Sequence, residues 1–261
     1  MDITDKDLQA WSASDQLKLW FAHRFGEWCD YQVLLDRLSE EEKPDEANWL
    51  MDHVGQDRKA VLNIDCVGKD KKHVFAAGDL VIEKGIFVDG WLRAGGNINA
   101  GEEIYAVLGI VSGEEIVSRY QTHCTSGSIK AKYSIVCGGG VNSAGDIESG
   151  LDIISERSIY AKRNIIAGEA IRSEREIRAG GSISADMSIS SGLGIEAGEL
   201  ISAGPGFCVF AGMSTPVEHW GFAARVIAKE KPANLMSGHW VEPTPGAFIE
   251  AILASRTKEK K

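Results

Sequence analysis

His123 is the side chain in this sequence best suited to act as an acid or a base. It lies beside Cys124 within Arg119–Ser126, a stretch where one extra residue interrupts an otherwise regular repeat. A histidine side chain can act as a general base. No second catalytic side chain can be named near it, so we favour a tolerated insertion that bulges from the repeat. We therefore predict no catalytic residue and no enzymatic activity.

Metal and cofactor sites are not indicated by the other histidines, cysteines and glycines. The 5 cysteines form no C-x-x-C pair, and their odd number argues against a disulfide framework. No H-E-x-x-H motif and no serine nucleophile motif occurs. The run Gly138–Gly140 lacks the Lys-Ser or Lys-Thr that follows in a phosphate-binding loop. We expect no metal, no cofactor and no bound nucleotide.

A dense mixture of charges between Glu156 and Arg178 fits binding better than catalysis. Two interpretations of these charges stay open. They either neutralise one another on the protein's own surface or form a mixed-charge docking surface for another protein. The partner-binding residues that we predict are Val136, Ile154, Glu156, Arg157, Tyr160, Arg163, Glu174 and Arg175.

A six-residue repeat must position these side chains. Every sixth residue from Val74 to Ile116, and again from Ile129 to Phe207, is aliphatic or aromatic. In the second series, a small Ala, Ser or Cys follows two residues later. Side chains two apart in a strand point to one face, so both should face inward. A period of six matches neither an amphipathic helix nor a hairpin sheet, whereas three short strands joined by three corners explain it.

The fold class that this repeat predicts is mainly β: a three-sided parallel β-helix, or β-solenoid, with about seven coils of eighteen residues. Residues eighteen apart then stack in successive coils. Glu156 should lie over Glu174, and Arg157 should lie over Arg175 in the same way. Stacked like charges repel at the ~4.8 Å spacing of neighbouring strands, unless the two columns neutralise each other.

Apolar side chains also occupy outward positions of these coils. Val136 and Ile154 should stack one coil apart, whereas Tyr160 and Ile166 should lie on the other two sides. A strip of Val136 and Ile154 suits an interface, and it would equally suit contact with a flanking helix. Both interpretations stay open.

The flanks of the repeat lack the six-residue period. Apolar residues at helical spacing predict short helices over Leu17–Phe25 and Tyr31–Leu38, and a third that starts near Pro44 and ends before Gly55. Ala60–Cys66 alternates like a first strand. The predicted parts are a helical N-terminal domain or cap over 1–59, the solenoid over 60–207, an irregular C-terminal cap over 208–254 with a helix from Gly246 to Ala254, and a disordered tail over 255–261.

The hexads in Gly145–Gly150 and Gly181–Asp186 resemble those of bactofilins and related polymer-forming β-helix proteins. The resemblance covers about half of the chain and does not extend to the flanks. It implies a rod that assembles end to end into filaments. Bactofilin rods carry only short tails, so the tryptophan-rich flanks of this chain depart from the family and would block such stacking.

The repeat is also similar to that of the hexapeptide-repeat acyltransferases, in which an aliphatic residue follows a small one by two positions. Here the small residue follows the aliphatic one. This reversal, together with the general preference for right-handed crossovers, favours a right-handed coil. The resemblance implies an acyltransferase in which His123 would be the general base.

The charge and the absence of targeting patterns limit the class of function. The net charge of −10 argues against nucleic acid and favours a basic protein partner. The N-terminal residues do not read as a signal peptide, and no apolar run is long enough for a membrane span, so we expect a cytoplasmic protein.

The function that we predict is a non-enzymatic protein-binding solenoid, most concretely an immunity protein or inhibitor that binds and neutralises a toxin. A bactofilin-like structural scaffold is the second hypothesis, and a hexapeptide-type acyltransferase is the third.

Overall fold

In a computed structural model of the chain, residues 1–66 and 72–242 are described. Most of them wind into a three-sided parallel β-solenoid, which confirms the fold class that the repeat predicts. Each complete coil contributes a strand to each of three sheets, which we number I, II and III in the order in which the chain enters them from Val74 onward. A small helical unit precedes the solenoid.

The helical unit contains four helices and one short antiparallel strand pair. Its elements are β1 (Asp2–Thr4), α1 (Asp5–Ala10), α2 (Asp15–Phe25), β2 (Trp28–Asp30), α3 (Tyr31–Glu40) and α4 (Pro44–Val54). Thr4 and Asp7 form a capping box at the start of α1. The Asp30 carboxylate accepts the backbone N–H groups of Gln32 and Val33 at the start of α3. The three predicted helices correspond to α2, α3 and α4.

The strands of the solenoid are short, and most contain three residues. We number them along the chain. Sheet I contains β4 (Val74–Ala76), β7 (Trp91–Ala94), β10 (Gly109–Ser112), β13 (Ile129–Ala131), β16 (Ile147–Ser149), β19 (Ile165–Ala167), β22 (Ile183–Ala185) and β25 (Ile201–Ala203). Sheet II contains β3 (Val61–Ile64), β5 (Asp79–Ile82), β8 (Ile98–Ala100), β11 (Ile116–Ser118), β14 (Ile135–Cys137), β17 (Ile153–Ser155), β20 (Ile171–Ser173), β23 (Ile189–Ser191), β26 (Val209–Phe210) and β28 (Leu235–Ser237). Sheet III contains β6 (Ile86–Val88), β9 (Ile104–Ala106), β12 (Thr122–Cys124), β15 (Val141–Ser143), β18 (Ile159–Ala161), β21 (Ile177–Ala179), β24 (Ile195–Ala197), β27 (Arg225–Ile227) and β29 (His239–Trp240).

The solenoid has about ten turns, whereas the aliphatic repeat alone predicts about seven. The difference arises because strands continue at both ends beyond the repeat. At the start, β3 pairs with β5 and places Leu62 beside Leu80. At the far end, β26 pairs with β23 and places Val209 beside Ile189. These end strands pair in the same sheets without carrying the six-residue pattern.

The interior of the solenoid consists of stacked aliphatic columns. In sheet II, Ile153 pairs with Ile171, which pairs with Ile189, and all three side chains are fully buried. Complete burial of one such side chain contributes roughly 1.5–3 kcal/mol. The columns therefore hold the coils together and leave only the alternate, outward side chains available for other roles.

The interruption at Arg119–Ser126 places its extra residue at one corner of the solenoid, and the rest of the segment continues the coil. The segment contains strand β12, in which Thr122 and Cys124 face inward and are fully buried. Thr122 takes the place of an isoleucine and pairs in register with Ile104. The extra residue is absorbed by the next corner, 125–128, which has four residues instead of three.

The helical unit packs against the first strand of sheet I. The outward side chain of Phe75 is buried in the core of the helical unit. The Gln32 side chain donates to the carbonyl oxygen of Phe75 (2.9 Å) and accepts the backbone N–H of Ala77 (2.8 Å). The Ser39 hydroxyl donates to the carbonyl of His73 (2.8 Å). These bonds satisfy backbone groups at the open edge of sheet I, so the unit caps the start of the solenoid.

The far end of the solenoid is closed less regularly. Residues 208–242 add strands to sheets II and III, and none to sheet I in the part of the chain that the structure describes. A 3-10 helix (Val217–His219) and α5 (Trp220–Ala223) lie between β26 and β27. The helix predicted from Gly246 to Ala254 and the tail 255–261 lie outside the described residues.

Candidate protein-binding surface

The corner between sheets II and III carries the charged residues of the predicted binding surface. Glu156 and Arg157 follow β17, and Glu174 and Arg175 follow β20. The two strands pair in register, so the two pairs of charges lie one coil apart, as the repeat predicts. All four side chains are exposed. We call these four residues the charged ridge.

Buried serines at the end of sheet II fix the backbone of this ridge. The Ser155 hydroxyl accepts the N–H of Arg157 (3.1 Å) and donates to the carbonyl of Gly139 (2.6 Å). One coil later, the Ser173 hydroxyl accepts the N–H of Arg175 (3.1 Å) and donates to the carbonyl of Arg157. Each hydroxyl links one corner to the previous one. The charged side chains therefore project from a fixed backbone.

The charges of the ridge have no partners in the described part of the chain. Across residues 1–66 and 72–242, none of the four side chains forms an ion pair or a side-chain hydrogen bond. Some other charges of the same band are paired: Arg178 lies 3.2 Å from Glu176 and 3.5 Å from Glu196. The neutralising interpretation thus holds for Arg178 but not for the ridge. Like charges stacked on adjacent strands are mildly destabilising.

Apolar and aromatic side chains lie on both sides of the ridge. On sheet II, Val117 pairs with Val136, and Val136 pairs with Ile154, all in half-buried outward positions. Neither predicted member of this strip belongs to the core of the helical unit. Tyr160 lies on sheet III, and Ile166 lies away from the ridge on sheet I, as the repeat predicts.

Arg163 is the one predicted binding residue that lies away from the ridge. It follows β18 at the corner between sheets III and I. Its guanidinium group lies 3.4 Å from the Asp146 carboxylate. Because this arginine already has an acidic partner and sits on another edge of the solenoid, it does not share a surface with the charged ridge.

A notch beside the ridge was not predicted. The corner Gly138–Gly140 carries no side chains, and it lies between Arg119–Gln121 in the previous coil and Glu156 in the next. These corners line an open cavity of about 700 Å³. A side chain on Gly139 would meet the backbone of Tyr120, because its Cβ would lie 2.6 Å from that carbonyl carbon. The sequence contained a signal for this notch, because the spacing places Gly138 one coil before Glu156.

His123 belongs to a stack of rings on sheet III. Its ring lies 5.3 Å from that of Tyr105, which lies 4.6 Å from that of Phe87. The three residues occupy the same outward position of successive coils. Such ring stacking is a packing role. Burial raises the pKa of the neighbouring Cys124 thiol, which disfavours the reactive thiolate.

The described residues offer no other obvious chemical site. Within them, no group of three or more His, Cys, Asp or Glu side chains is close enough together to hold a metal ion. None of the helices in the described ranges combines the length and the apolar character needed to cross a membrane.

Comparison with known proteins gives a match for the helical unit. A family model described as the YdhT N-terminal domain matches residues 1–56. No curated protein and no solved structure gives a significant match. The matched residues end before β3, so the match leaves the solenoid and its charged ridge uncovered.

Proposed function

We propose that this protein is a non-enzymatic, cytoplasmic protein-binding solenoid, most concretely an immunity protein or inhibitor that binds and neutralises a toxin. The observation that carries the proposal is the charged ridge, in which four exposed charges have no partner in the described chain. The ridge is held on a fixed backbone and lies beside a half-buried apolar strip.

The energetics of the ridge favour an external partner. Stacking Glu156 on Glu174 and Arg157 on Arg175 weakens the free protein slightly. A partner with complementary charges would remove both repulsions and gain charge-assisted hydrogen bonds. Binding costs little backbone entropy at the corner that carries the ridge, because the buried serines already fix the backbone there.

A basic protein fits the rest of the molecule best. The net charge is −10, and residues 1–59 contain 14 acidic against 7 basic side chains. Such a field speeds the approach of a basic protein and opposes nucleic acid and anionic membranes. Toxins that act inside cells and need a resident inhibitor are one class of partner that this combination suits.

Affinity capture with matched variants tests the proposal. The tagged chain is expressed in its native cells, and a stoichiometric protein partner is expected to co-purify. Arg157→Glu should weaken its capture at least tenfold, because removal of one partner in a charged interface costs about 2–5 kcal/mol. Lys162→Glu makes the same change of charge at the corner between sheets III and I and should leave capture unchanged. Equal loss with both variants would refute the ridge as the binding site.

The hypothesis that the protein neutralises a toxin makes a further testable prediction. The captured partner, produced alone, should arrest growth of its host, and co-production of this chain should restore growth. Arg157→Glu should restore growth less well than Lys162→Glu. A partner that is harmless when produced alone would contradict the inhibitor role while leaving protein binding intact.

A structural scaffold is the second candidate, favoured by the resemblance of the hexads to those of bactofilins. In the described residues, sheet I ends at β25 with no further strand beside it, which leaves an edge that a second molecule could extend. Electron microscopy of the purified protein distinguishes the two candidates. Filaments would support the scaffold, and dispersed particles would exclude it.

A further inference from the structure

The strand β2 exposes an indole ring that nothing in the fold explains. The Trp28 side chain is 60% exposed, whereas the other six tryptophans, all within the described ranges, are partly buried. Leaving an indole in water forgoes the large gain that burial of an aromatic side chain brings. Exposed tryptophans are also enriched among the residues that dominate binding energy at protein interfaces.

The two-stranded sheet that carries this ring has one buried face and one exposed face. Ile3 and Cys29 pair with each other and are buried beneath the sheet. Asp2 pairs with Asp30, and Trp28 is the next outward residue along β2. Because alternate residues point to one face, the indole shares its exposed face with both carboxylates.

The carboxylates around the ring differ in how far they are already used. Asp30 caps α3, and its second oxygen lies 3.4 Å from the N-terminal ammonium group. That ammonium lies closer to Asp57, at 2.9 Å. Asp2 and Glu27 are exposed, and neither has an ion pair or a side-chain hydrogen bond in the described part of the chain. Asp2 thus offers a free carboxylate on the face that carries the indole, and Glu27 offers a second one next to Trp28 in the chain.

We propose that the face formed by Trp28 and Asp2, with Glu27 next to the indole in the chain, binds a lysine or arginine side chain of a basic protein segment. The indole offers its face to the cation, and the carboxylates add charge and hydrogen-bond acceptors. An apolar partner would leave both carboxylates unpaired at the interface. This proposal rests on the proposed function in taking the partner to be basic, and it assigns that partner a second contact, separate from the charged ridge.

Titration with a defined peptide tests the contact. The probe is a short peptide of alternating arginine and glycine, with a glutamate-and-glycine peptide as the control, and binding to the full chain is measured by calorimetry at low salt. Trp28→Ala should weaken binding of the arginine peptide roughly fivefold to tenfold. Trp28→Phe keeps an aromatic face, so its affinity for the arginine peptide should lie between those of the wild type and Trp28→Ala.

A charge-matched pair of double variants separates this site from general attraction to an acidic protein. Asp2→Asn with Glu27→Gln should weaken binding roughly fivefold, because it removes both flanking carboxylates. Asp45→Asn with Glu46→Gln removes the same charge from the start of α4 and should change binding less than about twofold. Unchanged binding by Trp28→Ala, or equal loss with both double variants, would overturn the proposal.

Failure of this proposal can be told apart from failure of the proposed function. If the peptide binds at Trp28 but no cellular protein partner is captured, the site stands and the proposed function fails. If a partner is captured and Trp28→Ala holds it as tightly as the wild type does, the Trp28 contact is refuted while the ridge stands. Unchanged circular dichroism and thermal melting of the variants show that they are folded.

Discussion

The helical unit and the solenoid are both stabilised by buried apolar side chains, but they arrange them differently. In the helical unit, Phe21, Tyr31 and Leu35 are fully buried in a single core of irregular contacts. In the solenoid, an isoleucine such as Ile153 pairs with the equivalent isoleucines of the two neighbouring coils. The repeat makes the solenoid fold easy to predict from the sequence, but it says little about the protein family. The irregular unit is the part for which a family model matches.

The largest expected effect tests the division of the solenoid into inward and outward residues. Ile165 is fully buried and Ile166, its neighbour in β19, is 42% exposed. Ile165→Ala should lower the free energy of unfolding by about 2–5 kcal/mol because it leaves a cavity between coils. Ile166→Ala should cost less than about 1 kcal/mol. Urea denaturation followed by circular dichroism measures both. Similar costs for the two variants would contradict the inward column.

The next effect concerns the junction between the two regions. Gln32→Ala removes the side-chain bonds to the backbone of Phe75 and Ala77 and leaves buried polar groups unsatisfied. It should cost about 1–3 kcal/mol. It should also let the helical unit open before the solenoid, with faster amide exchange in α3 than in sheet II. Gln16→Ala, on the exposed face of α2, is the control and should change neither quantity.

A smaller effect should depend on pH at the same junction. His73 is buried, and its Nδ1 accepts the backbone N–H of Trp91 (3.1 Å), which requires a neutral ring. Burial, helped by the nearby Lys72, lowers the pKa of His73 below its ordinary value of 6.5. Because the unfolded chain then binds the proton more readily, the stability that neutral His73 contributes is complete above pH 6.5 and is lost as the pH falls below it.

The measurement is the free energy of unfolding between pH 7 and pH 5, taken for the wild type and for His73→Gln, which keeps an acceptor without titrating. The wild type should lose more stability over this interval than the variant does. His23→Gln, on the exposed surface of α2, is the control for the substitution itself. A His73→Gln curve parallel to the wild type would show that another group titrates.

The smallest effect on stability has the opposite sign. Arg157→Glu replaces one of two stacked arginines and creates an opposite-charge pair with Arg175 across adjacent coils. It should raise the free energy of unfolding by about 0.2–1 kcal/mol while weakening partner capture. Lys162→Glu should leave stability unchanged. A destabilised Arg157→Glu protein would mean that the ridge serves the fold and not a partner.

The sequence predicted the solenoid, its three sides and its stacking because each isoleucine obeys one rule of spacing. It also predicted β3, within Ala60–Cys66, but not the end strands β26–β29, which pair with a coil already formed and need no pattern of their own. The strand pair β1–β2 was missed for a related reason. Each strand has three residues, which is too few for an alternating pattern to be recognised. The two strands are also separated in the sequence by α1 and α2.

The arrangement of the candidate surface was predicted only in part. The stacking of the ridge follows from the period of eighteen residues, so Glu156, Glu174, Arg157 and Arg175 were placed correctly. The pairing of charges was not predictable, because it depends on side-chain reach at each corner. The sequence alone gave no reason to expect Arg178 to be paired while the ridge is not. The exposure of Trp28 was not predictable either, because the sequence does not distinguish it from the other three tryptophans of residues 1–59.

The spacing of the coils sets the distance along the axis between the helical unit and the charged ridge, and every coil between them has eighteen residues except the one that contains the extra residue. Because residues eighteen apart lie in register, inserting or deleting one whole coil would keep the ridge on the same edge. It would shift the ridge along the axis by ~4.8 Å. A partner that touches both Trp28 and the ridge would have to match that separation. A change in the number of coils would therefore change that separation without altering a single contact residue.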